Sequence, residues 1–333
     1  LHGQLGNGGT TNEALPAVLS SLTGVVSVDA GGNHTLALRK DGSVWTWGEG
    51  LFGQLGNGTN VDGLVPAPVT GLAGIVAISG GGYFSLALKE DGTVWAWGSN
   101  VYGQLGNGAF TNSNVPLQVP GLTDIVAISA GFGHSFALAS DGTLWSWGYN
   151  ISGALADGST SNSNVPLHIT SLIDVSKIIC GGYHTLAQRD DGTLWAWGTN
   201  AAGQVGNGTY SDQHLPVLIS TVPSLVFVAG GEAHSLAMSS DSSVWSWGQN
   251  TFGQLGNGTL VNGLVPAQLS GLCGPLVDCL GVENGSALPG TACDDGLITT
   301  GNDTYGSDCV CSGLLIDCTG MIGGGVLPGT PCD

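Results

Sequence analysis

Residues 31–48 read Gly-Gly-Asn-His-Thr-Leu-Ala-Leu-Arg-Lys-Asp-Gly-Ser-Val-Trp-Thr-Trp-Gly, and residues 53–58 read Gly-Gln-Leu-Gly-Asn-Gly. His34, Leu36 and Leu38 alternate with Thr35, Ala37 and Arg39, the two-residue period of a strand whose faces meet different surroundings. A strand over His34–Lys40 is therefore expected. Asp41-Gly42 follows, a pair that tight hairpin turns favour because Gly accepts a positive φ without steric cost. Val44–Gly48 then returns, with Trp45 and Trp47 on one face and Val44 and Thr46 on the other. Upstream, Val25–Ala30 is a short apolar run closed by Gly31-Gly32. Pro16–Leu22 is a further strand candidate whose Pro suits an edge or a strand start.

The stretch recurs with a period of 50 residues. Gly-Gln-Leu-Gly-Asn-Gly stands at 3–8, 53–58, 103–108 and 253–258, with Gly-Gln-Val-Gly-Asn-Gly at 203–208 and Gly-Ala-Leu-Ala-Asp-Gly at 153–158. Trp-x-Trp-Gly stands at 45–48, 95–98, 145–148, 195–198 and 245–248. Three or four short strands per period, without helical periodicity, predict an all-β fold, a β-propeller. Six loop motifs against five Trp motifs give about five and a half blades, and Leu1-His2 aligns with Leu51-Phe52, so a mid-blade start is expected. Small residues (Ala37, Ala87, Ala137, Ala187) are expected on one face of each blade and Trp and Leu on the other, meshing large against small.

Composition narrows the function classes. Only 9% of residues are charged, and 24 acids face five bases for a net charge of −19, which repels nucleic acid and anionic membranes. No apolar stretch reaches the length of a membrane-spanning helix. Ten Trp argue against disorder.

The pattern Gly-Gly-x-His-Thr-Leu-Ala-Leu-x-x-Asp-Gly-x-Val-Trp-x-Trp-Gly, followed by Gly-Gln-Leu-Gly-Asn-Gly, resembles the regulator-of-chromosome-condensation repeat over residues 1–272. The resemblance implies a propeller, usually of seven blades, so part of the ring is expected upstream. It also implies two kinds of activity. The family's nuclear founder is a nucleotide-exchange factor for a small GTPase, and other members act by binding, among them a secreted inhibitor of β-lactamases. Some members are ultraviolet photoreceptors built on Trp clusters, but the Trp residues here belong to the repeat itself and read as core.

Residues 273–333 differ in character. Cys273, Cys279, Cys293, Cys309, Cys311, Cys318 and Cys332 crowd there, and Val277-Asp278-Cys279 and Leu288-Pro289-Gly290-Thr291 return as Ile316-Asp317-Cys318 and Leu327-Pro328-Gly329-Thr330. Such density in a short Gly-rich segment reads as a disulfide framework of an exported protein, with Cys279, Cys293, Cys309, Cys311, Cys318 and Cys332 as candidates. The segment resembles cysteine-rich linker modules in large surface proteins of bacteria. An extracellular or cell-surface location follows as an expectation. Asp294, Asp295, Asn302, Asp303 and Asp308 offer oxygen ligands for weak calcium binding, against the simpler reading of solvated turn acids.

No catalytic constellation or cofactor motif is visible, and a non-enzymatic role is expected. Gly-Gln-Leu-Gly-Asn-Gly lacks the Lys-Ser/Thr of a phosphate loop and reads as a turn. His34, His134, His184 and His234 share one repeat position with Phe84, so a metal ring is set aside for hydrogen bonding to backbone within each blade. Asp41, Asp91, Asp141, Asp191 and Asp241 are turn residues. Cys180 stands where Ala30, Gly80 and Ala130 stand, as a buried small residue. Repeats preserve scaffold and vary at free surfaces, which directs attention to the segment after Trp-x-Trp-Gly and the position before the recurrent His. Phe52, Tyr83, Tyr102, Tyr149, Tyr183 and Phe252 lie there and are candidates for contact with a protein or glycan ligand, or else caps on the blade edges. The expected function is a binding or adhesive scaffold, with GTPase nucleotide exchange as the alternative.

Overall fold

Val25–Ala30, His34–Arg39, Val44–Gly48 and Gly63–Pro68 form strands β1 to β4, paired antiparallel in sequence order as one four-stranded sheet. The unit is repeated in four further sheets spanning 75–118, 125–169, 175–219 and 225–268. Neighbouring blades touch along their first strands, which run innermost. The structure is a computed structural model that describes residues 2–220, 222–223 and 225–269, with the backbone of two antiparallel strands, Thr300–Tyr305 and Cys311–Leu315. The chain divides into units Leu1–Leu269 and Ser270–Asp333. There is no helix among the described residues.

The turn residues do what their chemistry suggests. Each hairpin Asp accepts a hydrogen bond from the backbone N–H two residues on, at Ser43, Thr93, Thr143, Thr193 and Ser243. Asp91 is also bonded by Lys89 and the Thr93 hydroxyl, which hold its carboxyl down to about 2.

Two strand expectations need correction. Residues 16–22 are not a strand. In the paired copies the fourth strand begins three residues before its Pro and pairs with the preceding Trp-x-Trp-Gly strand, as Gly63–Pro68 does with Val44–Gly48. No Trp-x-Trp-Gly precedes Pro16 in this sequence, so the segment has no ladder to join. The allocation of faces also differs. Ala37 lies directly opposite Trp45, and Thr35 opposite Trp47, while Leu36 faces Thr46 and Leu38 faces Val44. Cross-strand partners share a face, so Trp and Ala stand together and Leu and Val occupy the other side.

The corrected faces explain the core. Leu36, Leu38 and Val44 of the first blade are buried in one cluster with Ala87 and Trp97 of the second. The same exchange puts Leu86, Leu88 and Val94 against Ala137 and Trp147, and Phe136, Leu138 and Leu144 against Ala187 and Trp197. Small Ala makes room for the indole on its own face, and the neighbour's aliphatic face fills around both.

Polar groups stitch the blades along the same seam. The second Trp of each pair donates its Nε1–H across the blade boundary: Trp97 to Gln54 O at 2.9 Å, Trp147 to Gln104 O at 2.8 Å and Trp247 to Gln204 O at 2.9 Å. Ser85, Ser135 and Ser235 hydroxyls donate to these same carbonyls. The recurrent His also bonds across the boundary, and not to backbone within its own blade. His34 Nε2 lies 2.9 Å from Ser85 Oγ, and His184 Nε2 lies 2.8 Å from Ser235 Oγ. Since each serine spends its proton on a Gln carbonyl, the His must donate, which fixes the Nε2–H tautomer and leaves the buried Nδ1 of His34 and His184 unpaired. Burial lowers His34 and His134 to about 4 and His184 to about 3, so all three rings are neutral at pH 7.

Glycine is required where the loops meet this seam. Gly56 has φ of +64°, and a Cβ there would lie 2.7 Å from Trp97 Nε1. On the outer strands Pro66, Pro116, Pro166, Pro216 and Pro266 each stand in or beside the wide irregularity opposite the second Trp, where a missing N–H breaks no ladder bond.

Candidate binding face at one end of the blades

The two variable segments are brought together by backbone pairing. The residue after Trp-x-Trp-Gly donates its N–H to the carbonyl of the residue before the recurrent His: Ser99 to Tyr83 O, Tyr149 to Gly133 O and Thr199 to Tyr183 O, at 2.8 to 2.9 Å. Both segments therefore lie at one end of each blade, with the Asp-Gly hairpins at the other.

Five of the six aromatic candidates join one another there. Phe52 packs against Tyr83 with ring centroids 5.1 Å apart, Tyr83 against Phe132 at 5.5 Å, and Phe132 against Tyr183 at 5.1 Å. Tyr183 continues to Tyr149 at 5.4 Å, and Tyr149 to Tyr102 at 5.0 Å. The contacts are mostly edge-to-face, the arrangement favoured by the ring quadrupoles. Gly133 makes the close approach of Tyr102 and Tyr149 possible, since a Cβ there would meet them at 3.3 and 3.2 Å. The rings remain partly exposed. Phe252 is 88% exposed and stands outside this chain of contacts.

Phe132, which links the two halves of the cluster, is missing from the sequence-derived candidates. It replaces the second Gly of the Gly-Gly pair, where the other copies have Gly32, Gly82, Gly182 and Glu232. That departure from the repeat was the available signal. Asn100, Asn150, Asn200 and Asn250 were likewise hidden in a segment that otherwise varies. Each is fully buried, and the Asn100 amide donates to Asn107 Oδ1, Ala109 O and Thr111 O while its oxygen accepts the Leu105 N–H. Asn thus shapes the loop that carries Tyr102, and Tyr102 N–H in turn bonds Gln104 Oε1 at 2.9 Å.

The cluster borders the mouth of a cavity of about 410 Å³ on the inner side of the blades. Its lining is mostly Gly, with Asn33, Tyr83, Phe132 and Glu232 supplying the larger side chains. Backbone amides at the mouth are already used, Gly32 N–H on Gly82 O, Phe132 N–H on Gly182 O and Gly182 N–H on Gly231 O. Asn33 Nδ2 bonds Glu49 Oε2 at 3.2 Å. Burial raises the Tyr149 and Tyr183 phenols, with neighbouring tyrosines adding to it and Asp212 and Glu232 contributing respectively, so both rings are neutral.

The other candidates stand apart from this face. The Cys180 thiol is pushed up to about 12 by burial, against opposing hydrogen bonds with Ser129 and Thr185, and is inert as a nucleophile at pH 7. Among the described residues no three His, Cys, Asp or Glu side chains are grouped to hold a metal. Cys279, Cys293, Cys309, Cys318 and Cys332, with Asp294, Asp295 and Asp308, lie outside the described residues. Cys311, Asn302 and Asp303 fall in the two tail strands.

Comparison with known proteins agrees with the architecture. The profile of the RCC1-like domain matches residues 1–307. The human WBSCR16 structure superimposes with a TM-score of 0.66 at 22% identity, covering 76% of this chain and 68% of that one. Yeast RCC1 (Prp20), solved bound to Kap60, gives 0.58 at 24% identity over 74% of this chain and 75% of that one. Saccharomyces cerevisiae Prp20p, whose structure was described together with its binding to Gsp1p and histones, gives the same score and identity over 74% and 77%.

Proposed function

Because this chain belongs to the RCC1-like family of β-propellers, we infer that it is a binding module and not an enzyme, with the aromatic cluster as its recognition face. One observation carries this reading: Phe52, Tyr83, Phe132, Tyr183, Tyr149 and Tyr102 form an unbroken, partly exposed set at one end of the blades. Large rings with few rotatable bonds lose little entropy on binding, which is why they dominate recognition surfaces. A protein partner is favoured, in an extracellular or cell-surface setting that rests on the cysteine-rich segment at 273–333. Titration of free thiols in protein from its native host tests that setting.

Nucleotide exchange on a small GTPase is the second reading, supported by family membership and by yeast Prp20, which was studied with Gsp1p. The experiment that tests the first is selection of ligands from peptide and glycan libraries on the full chain. Selected ligands are expected to lose about tenfold or more in affinity with Tyr83→Ala or Tyr183→Ala, as buried aromatic anchors do, and to be unaffected by Phe252→Ala. Ligands indifferent to both rim substitutions would overturn the assignment of the face. Accelerated nucleotide release from a GTPase would favour the second reading.

A further inference from the structure

Charge is distributed unevenly along the blades. All five basic residues lie at the hairpin end: Arg39, Lys40, Lys89 and Arg189 close the second strands, and Lys177 lies beside Gln188 at the start of a first strand. The aromatic end has none. It carries Glu49, Asp212 and Glu232 instead, and Glu232 lines the cavity mouth beside Tyr83 and Phe132. Among the described residues the one cation–π contact, Arg39 over Trp45, is at the hairpin end, 5.7 Å from cation to ring centre. The six clustered rings thus have no internal cation above them.

An aromatic face is electrostatically negative at its centre and attracts a cation, and a carboxylate at its margin adds to the attraction. The Gly amides lining this mouth are already spent on backbone carbonyls, which leaves a sugar mainly the rim phenols and the Glu232 carboxylate for its many hydroxyls. An anion would meet carboxylates and no base. A planar guanidinium satisfies all of these conditions, because it stacks on rings, is weakly hydrated and bonds a carboxylate.

The geometry points to an arginine-bearing segment of a basic protein as the occupant of the aromatic rim, its guanidinium seated against Tyr83, Phe132 and Tyr183 with Glu232 as counter-ion. This rests on the recognition face argued above and names the chemistry of its partner.

The test is calorimetric titration of the full chain with a capped Gly-Arg-Gly-Arg-Gly peptide, its neutral citrulline counterpart and chitohexaose. The arginine peptide is expected to bind and the citrulline peptide to bind about tenfold more weakly or not at all. Tyr183→Leu and Phe132→Gly should each weaken the arginine peptide about fivefold. Glu232→Gln should weaken it as well, whereas Asp241→Asn at the hairpin end should not. Circular dichroism reports whether each variant is folded. Absence of arginine-peptide binding overturns the inference, as does an equal loss from Asp241→Asn and Glu232→Gln, the mark of diffuse charge attraction. Chitohexaose binding that depends on Tyr183, with an arginine peptide that does not, overturns the cation but keeps the face. Rim substitutions without effect on any ligand overturn both.

Discussion

At the scale of single residues, the recurrent His is the clearest case of a residue whose chemistry is set by its neighbours. Its Nε2 bridges two blades through a Ser or Thr hydroxyl, and its burial makes the charged form costly. The unfolded chain takes up protons on these His below pH 6.5, whereas the folded chain does so only near 4 for His34 and His134. Stability contributed by the neutral rings is therefore fully present above pH 6.5 and is lost as pH falls from 6.5 toward 4. At about 1.4 kcal/mol per pH unit this is roughly 3 kcal/mol for each such His. Urea titrations at pH 7 and pH 4.5 should show this loss. His134→Phe installs the residue that Phe84 already supplies at the same repeat position. It should cost about 1 kcal/mol at pH 7 through the lost bond to Thr185 and should visibly flatten the pH dependence. An unchanged pH dependence in that variant would remove His134 from the account.

At the scale of elements, each blade is specified by which residues share a face. Alternation in His34–Arg39 and Val44–Gly48 made the strands and the hairpin legible, almost to the residue. Alternation alone does not give the pairing register, and without register the face that Ala37 shares with Trp45 is not legible. Register comes from the three-residue turn Lys40-Asp41-Gly42, closed by the Arg39 N–H on Ser43 O and the Gly42 N–H on Arg39 O, which sets Ala37 against Trp45. The consequence is measurable. Ala137→Leu places a large side chain beside Trp147, where Ala137 is fully buried, and should destabilise by about 1–3 kcal/mol through overpacking. Ser140→Glu, the residue of Glu90 at the same repeat position, lies at an exposed site just beyond the strand and should stay within about 0.5 kcal/mol. Equal costs for the two in urea denaturation would contradict the assignment of faces.

At the scale of the molecule, repetition and its exceptions divide the labour. The repeated second Trp, His, its Ser partner and the Gln-loop carbonyl are joined in one lattice of bonds between blades, while the hairpin Asp closes its own turn. That the scaffold recurs was legible in the sequence, because one period written five times needs no structure to be seen. The recognition face was only half legible. Phe52, Tyr83, Tyr102, Tyr149 and Tyr183 stand out as departures from the repeat, but their mutual contact requires the pairing of two loops distant in sequence. Phe132 escapes notice because it stands within a glycine pair that reads as a turn. The buried Asn of four repeats escapes notice because its neighbours vary while it does not. The same separation allows the scaffold and the face to be tested apart. Each aromatic can be replaced by the residue another copy carries at its position: Phe52→Ala, Tyr83→Asn, Tyr102→Ala, Phe132→Gly, Tyr149→Thr and Tyr183→Asn. The decisive measurement is ligand affinity and urea stability of this six-fold variant beside the parent chain. Retained stability with abolished binding is the predicted result; lost stability with affinity unchanged per folded molecule would show that the rings cap the blades and that recognition lies elsewhere.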